Sequence, residues 1–204
     1  MFVAGVGMYL LLTLITRYAQ TPQSAGYGFG LSMFVAGLVL VPFSLLGFVA
    51  GKVVPRVRIG APLLLAGSAA IVLGGFALFA AARSTLADLF LAMGVLGFGV
   101  GSFSAAMPVV ILAVTPASET SSAMSFNYVV RTVGYSLGSA VGGLVLAAGT
   151  DTGRLFPNEG AYTMAALVGM ATMALAASTS LALARQRATG SQPAAAPSTY
   201  GSSR

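Results

Sequence analysis

One stretch of the chain fits a catalytic motif. Residues 134–138, with Ser136 at the centre, match the G-x-S-x-G pattern that holds a serine nucleophile on a strand-to-helix turn. That serine would need a base, but the chain has no histidine and no cysteine, and its single lysine, Lys52, lies in a distant basic segment. We therefore predict that the chain is not an enzyme, and that it has no cofactor and no metal site.

The chain has only four acidic residues, and none lies in the middle of an apolar segment. Asp88, Glu119, Asp151 and Glu159 all fall at segment ends or in connections. An acid in the middle of an apolar segment would be a candidate proton carrier. These four residues do not offer one.

Arg131 is the one full charge well inside an apolar segment. Asn127 precedes it by one helical turn and Tyr135 follows it by one turn, so the three would share a helix face. One interpretation is a polar cluster lining a wet cavity, where it contacts substrate or a gate. The other is an arginine that bonds to backbone carbonyls or extends toward the interface.

Two further segments carry candidate cavity residues. Tyr9, Thr13 and Arg17 recur every four residues and would form one polar face on an otherwise apolar helix. Another segment offers Met93, Ser104 and Met107, and flexible methionines suit an adaptable apolar binding surface. Packing between helices is the alternative interpretation for each of these residues.

Composition predicts what positions these residues: an all-α integral membrane bundle. The chain is 57% hydrophobic and only 7% charged, far below the roughly 25% of soluble domains. Most of its apolar segments reach the roughly 20 residues that a membrane-spanning helix needs. The predicted spans form one bundle over 1–184, at about 1–19, 29–51, 61–82, 86–114, 121–148 and 160–184. Residues 185–204 are predicted to be a disordered cytoplasmic tail.

Glycines recur every four residues in the fifth span. Gly134, Gly138 and Gly142 would make one smooth helix face, against which another backbone can approach closely. We predict that they pack helices together.

Basic residues predict the orientation. Lys52, Arg56, Arg58, Arg185, Arg187 and Arg204 fall on one side of the predicted topology, and Arg17, Arg83 and Arg154 fall on the other. The richer side is expected in the cytoplasm, so both termini are predicted to be cytoplasmic. Basic residues scattered at segment ends suit a lipid bilayer and do not indicate a nucleic-acid partner.

The order of these features resembles one half of a major facilitator superfamily transporter. Gly51 and Arg56 match part of that family's basic loop between the second and third helices, although Pro55 stands where the family often has an aspartate. Asn127, Arg131 and Gly134 match a stretch that leads into a glycine stripe. The resemblance is closest to the fourteen-span drug:proton antiporters.

This resemblance implies a function, a location and a set of partners. It implies a multi-pass protein of the plasma membrane that exports small amphipathic molecules or drugs by alternating access. The first and fourth spans would line the cavity, and a missing N-terminal half or a second copy would complete it. The abrupt apolar start at Met1 leads us to expect further upstream sequence. The alternative is a truncated remnant that transports nothing and acts as a membrane interaction partner.

Overall fold

The structure is a computed structural model that describes residues 1–57 and 59–190, with the backbone alone over 187–190. Every regular element in these ranges is helical. The helices are α1 (Phe2–Gln20), α2 (Met33–Leu38), α3 (Leu40–Val53), α4 (Ala61–Ala81), α5 (Leu86–Leu112), α6 (Thr120–Ala148) and α7 (Glu159–Gly190), with 3₁₀ turns at Gln23–Ala25, Val54–Arg56 and Ala117–Glu119. Six helices are long and apolar enough to cross a membrane, with α2, α3 and the following turn counted as one, Met33–Arg56. The predicted all-α bundle with six candidate spans is therefore confirmed.

Helices α1, α4, α5 and α7 enclose the core. Tyr162, Phe76 and Phe79 are among its largest fully buried side chains. The ring of Phe76 lies against Gly169 of α7, where any larger residue would collide with it. Small residues at such contacts let helices approach closely. Close packing matters in a membrane because lipid is itself apolar, so there is no hydrophobic driving force between helices.

Helix α3 packs mainly against α5. The backbone of Phe43 lies against Gly97, and the backbone of Gly47 lies against Gly101, with no room for a Cβ on either α5 glycine. The opposite side of α3 is exposed and apolar, as at Leu45 and Phe48. That side is suited to contact with lipid.

The second span differs from its predicted bounds of 29–51. Its first helix begins at Met33, because Gly28 and Gly30 adopt left-handed backbone conformations with φ of +82° and +61°. The Ser32 hydroxyl then caps the helix by accepting from the Val35 amide at 3.4 Å. The break at Val39 follows from Pro42, which has no N–H to donate to the carbonyl of Leu38.

The predicted disordered tail at 185–204 is wrong at its start. Helix α7 continues through Gly190, well past the basic residue Arg185. Arginine, glutamine and alanine all favour helix, so the chain has no local reason to stop at 185. The remainder of the predicted tail, 191–204, lies outside the described residues.

The loops gather at two opposite ends of the bundle. At one end, here called the Arg83 end, the Tyr27 hydroxyl donates to the Pro157 carbonyl, and Arg83 pairs with Glu159 at 3.1 Å. The other end, here called the Arg56 end, contains the turns Val54–Arg56 and Ala117–Glu119. The grouping of loops matches the predicted topology, and the membrane orientation stays a prediction.

Candidate functional site

A continuous row of polar side chains crosses one side of the bundle. Its members come from α1, α5 and α6, and we call them the polar row: Tyr9, Thr13, Ser104, Arg131, Tyr135 and Ser139. The rings of Tyr9 and Tyr135 stack with centroids 4.1 Å apart. The hydroxyls of Thr13 and Ser139 are 3.0 Å apart, and Arg131 Nη1 donates to Ser104 Oγ at 3.2 Å. These contacts join three helices that are far apart in the sequence.

The polar row lies beside the packed seam between α1 and α6. Gly134 and Gly138 are buried against the backbone of Phe2 and Val6, and a Cβ on either glycine would overlap a carbonyl oxygen of α1. Gly5 of α1 makes the matching contact from the other side, because a Cβ there would lie 2.9 Å from the Arg131 carbonyl oxygen. The contact is close on both sides, so the polar residues next to the glycines also meet across the two helices.

Two periodicities on α6 produce this arrangement. Arg131, Tyr135 and Ser139 recur every four residues, as the glycines do, but the two rows are offset by three positions. Residues three and four apart are neighbours on a helix surface. One row therefore packs against α1, while the adjacent row lines the exposed edge of the same seam.

Arg131 has an unusual environment for a charge in an apolar helix. Its guanidinium carbon is 5.5 Å from the Tyr128 ring centroid and 5.6 Å from the Tyr135 ring centroid. Its Nε is enclosed and has no hydrogen-bond partner within the described part of the chain. The contact to Ser104 is with a hydroxyl, so the alternative in which Arg131 bonds backbone carbonyls is not what the structure has.

An exposed polar row limits what this side of the bundle can face. An arginine facing hydrocarbon costs several kcal/mol, so charged side chains within a membrane face protein or a wet cavity. The other side of α6 offers apolar residues such as Leu137 and Leu144 to its surroundings. The side of α6 with Leu137 and Leu144 is therefore suited to contact with lipid, whereas the side with the polar row is suited to contact with protein or water.

The structure brings some predicted residues together and separates others. Arg17 is exposed in the last turn of α1, near the Arg83 end, and Asn127 is half-buried one turn before Arg131. Met93 and Met107 are instead enclosed in the core, at 0% and 6% exposure. The cavity interpretation is corrected for these two methionines, because both belong to the buried core cluster and offer almost no surface to a cavity beside the bundle.

The basic-loop residues also differ from their expected setting. Gly51 lies within α3, and a Cβ there would meet nothing within 4 Å. Arg56 donates to the carbonyl of Lys52, one turn earlier, and so caps the end of the helix. Neither residue contacts an acid within the described ranges.

Sequence reasoning missed three residues of this region. Ser139 follows Tyr135 by four positions and Tyr128 precedes Arg131 by three, so helical spacing could have identified both. Gly5 carried no such signal, because a single glycine near the start of an apolar helix indicates nothing about its partner.

A second polar cluster lies at the Arg83 end. Arg83 Nη2 donates to Thr163 Oγ1 at 2.9 Å as well as to Glu159, and its guanidinium lies 5.6 Å from the Tyr18 ring centroid. The Tyr27 phenol donates to the Pro157 carbonyl, and burial raises the pKa of this phenol to about 12. Because these contacts tie the α4–α5 connection to the start of α7, the cluster fastens this end of the bundle.

Within the described ranges, no group of three or more aspartate, glutamate, histidine or cysteine residues could hold a metal ion. No protein-family model matches the chain, and no curated protein matches it. The function must therefore be inferred from the geometry of the chain itself.

Proposed function

We propose that this chain is one six-helix half of a secondary transporter, which exports small amphipathic molecules by alternating access. The observation that carries the proposal is the polar row on α1, α5 and α6. In a membrane-spanning bundle such a row has to face water or protein. A substrate pathway between two bundles provides both, since midplane sites of secondary transporters lie where two repeats meet.

The identities of the helices support the same proposal. The polar row draws on the first, fourth and fifth spans, and the first and fourth are the cavity-lining helices in the major facilitator superfamily that the sequence resembles. A second bundle, either an N-terminal half or another copy of this chain, would close the pathway. The plasma membrane, with both termini cytoplasmic, is the location that goes with this proposal.

The distribution of charge supports the proposed orientation. At the Arg83 end the basic residues Arg17, Arg83 and Arg154 are matched in number by Asp88, Asp151 and Glu159. At the Arg56 end, the described residues include three basic residues, Lys52, Arg56 and Arg185, and one acid, Glu119. An excess of basic residues favours the cytoplasmic side, so the Arg56 end is proposed to be cytoplasmic.

The first test is whether water reaches the polar row. The chain contains no cysteine, so Ser139→Cys creates a single target for a charged, water-soluble thiol reagent. Leu137→Cys is the matched control, because it lies at nearly the same depth on the other side of α6. We expect labelling of the first variant and not of the second in native membranes. Equal labelling, or none at residue 139, would contradict a wet pathway.

The second test is transport. Efflux of a fluorescent amphiphile would be measured in cells that express the chain, normalised to folded protein in the membrane. We expect Arg131→Ala to abolish the efflux above background without lowering the folded yield. Efflux that survives in Arg131→Ala would contradict the polar row as the pathway, and efflux equal to that of cells without the chain would exclude a pathway formed by copies of this chain alone.

A further inference from the structure

We infer that the ligand of the polar row is a small amphipathic anion, bound through its acidic group to Arg131. This inference rests on the proposed function, because it names the substrate class of the same site. It starts from the charge of the row. Arg131 forms no ion pair within the described residues, where the two salt bridges are Arg83–Glu159 and Arg154–Asp151.

Acids are also far from Arg131 along the helix that carries it. The nearest in sequence is Glu119, which precedes α6 and lies about 18 Å away by the helical rise. The other three acids of the chain, Asp88, Asp151 and Glu159, belong to the Arg83 end. A cationic ligand at the polar row would therefore meet a like charge with no carboxylate to offset it. An anion would instead meet the guanidinium of Arg131, which has no carboxylate partner within the described residues.

Arg131 Nη2 is available for such a ligand, because it makes no hydrogen bond within the described chain and, unlike Nε, is not enclosed. A guanidinium has five N–H donors in a planar fork that matches carboxylate, sulfonate and phosphate groups. The one side-chain hydrogen bond that Arg131 makes within the described chain is the contact of Nη1 with Ser104 Oγ. The Ser139 hydroxyl lies about two turns beyond Arg131 on α6 and pairs with the Thr13 hydroxyl of α1, and either could accept from or donate to a polar substituent of the same ligand.

The aromatic residues indicate the rest of the ligand. Tyr128, whose ring centroid lies 5.5 Å from the guanidinium carbon, is 61% exposed, and Tyr9, which stacks on Tyr135, is 37% exposed. The ring of Tyr135 has its centroid 5.6 Å from the guanidinium carbon and stacks on the ring of Tyr9, so two aromatic rings stand beside the charge. Aromatic rings bind other planar apolar groups well. An acidic group on Arg131 and a planar apolar body against the tyrosines together define the ligand class.

The test compares two probes of nearly equal size and opposite charge, naphthalenesulfonate and naphthylmethylammonium. Equilibrium binding would be measured to the full chain in nanodiscs of zwitterionic lipid, with empty nanodiscs subtracted. We expect the sulfonate to bind at least roughly tenfold more tightly than the ammonium. Equal affinity, a preference for the ammonium, or no saturable binding of the sulfonate would overturn the inference.

Variants assign the preference to Arg131. Arg131→Gln should remove the preference for sulfonate, and Arg131→Lys should keep part of it, because lysine retains the charge but not the planar fork. Arg154→Gln is the matched control: it removes the same charge from an exposed residue outside the polar row. A preference that survives in Arg131→Gln, or is lost equally in Arg154→Gln, would overturn the assignment.

The anion could also be a lipid headgroup. Phosphatidylglycerol retained by the purified chain would therefore be compared between the wild type and Arg131→Gln. Equal retention supports a soluble ligand, whereas a clear drop in Arg131→Gln assigns the site to a headgroup and overturns a transported anion. Flux across vesicles separates the two proposals. If the sulfonate binds at Arg131 but does not cross the vesicle membrane, the proposed transport is contradicted and the anionic ligand is not. If the ammonium is transported in preference to the sulfonate, the anionic ligand is contradicted and transport is not.

Discussion

Replacing Gly138 by alanine tests whether the seam between α1 and α6 positions the polar row. A Cβ at Gly138 would lie 2.8 Å from the Val6 carbonyl carbon and 3.0 Å from its Cα, where ordinary contact begins at 3.4 Å. The neighbours are backbone atoms, which cannot rotate away. The two helices would therefore have to move apart by at least about half an ångström.

That displacement has a calculable consequence for the row. The hydroxyls of Thr13 and Ser139 are 3.0 Å apart, and a separation near 3.6 Å no longer makes a hydrogen bond. Overpacking of a tight contact typically costs about 1–3 kcal/mol, and interhelical hydrogen bonds in membranes average about 0.6 kcal/mol. We therefore expect Gly138→Ala to destabilise the folded chain by roughly 1–3 kcal/mol.

Gly142→Ala is the matched control on the same glycine row. A Cβ there would meet Thr13 at 3.7 Å, which is an ordinary contact. Alanine also favours helix over glycine by roughly 0.5–1 kcal/mol, so this variant should be neutral or slightly stabilised. Thermal melting of the detergent-solubilised chain, followed by size-exclusion chromatography, measures both variants. A loss of about 2–4 °C per kcal/mol is expected for Gly138→Ala alone. Equal melting temperatures would refute a backbone contact at Gly138.

Three further predictions concern the ends of the bundle. Cysteine at Gly153 should react with an impermeant thiol reagent added outside intact cells, whereas cysteine at Arg56 should not; the reverse pattern would contradict the orientation. Arg83 and Glu159 should show a favourable coupling of about 0.5–1 kcal/mol in a double-mutant cycle measured by thermal melting. The expected value is small because the carboxylate is 53% exposed and solvent weakens the ion pair. Zero coupling would mean that this ion pair does not stabilise the Arg83 end. Gly51→Ala should leave the melting temperature unchanged or slightly raised, because a Cβ there meets open space; a marked fall would imply a contact on α3 that the described structure lacks.

The sequence alone determined the class of the fold and much of its order. Long apolar runs with few charges require backbone groups to be satisfied within each segment, and in lipid that leaves helices. The predicted ends of α1, α4 and α6 lie within one residue of those observed. The second span began later than predicted because two glycines with positive φ precede it, and hydrophobicity does not report backbone conformation.

The site was only partly accessible to sequence reasoning. Spacing on one helix put Arg131 on the same face as Tyr135, and Tyr9 on the same face as Thr13, because helical periodicity is a local property. Met93 and Met107 were misassigned to the cavity, since two sides of an apolar helix have nearly the same composition. Only the packing of neighbouring helices distinguishes a core side from an exposed one.

The tertiary structure decided which helices meet, and therefore that the polar residues form one row. Nothing local to α1 indicates that Gly5 would lie against Arg131, or that Thr13 would reach Ser139. Helix association in lipid depends on the fit of small residues and on few polar contacts, because hydrophobicity favours no partner over another. A sequence therefore specifies each spanning helix by itself, whereas the pairing of helices depends on three-dimensional shape.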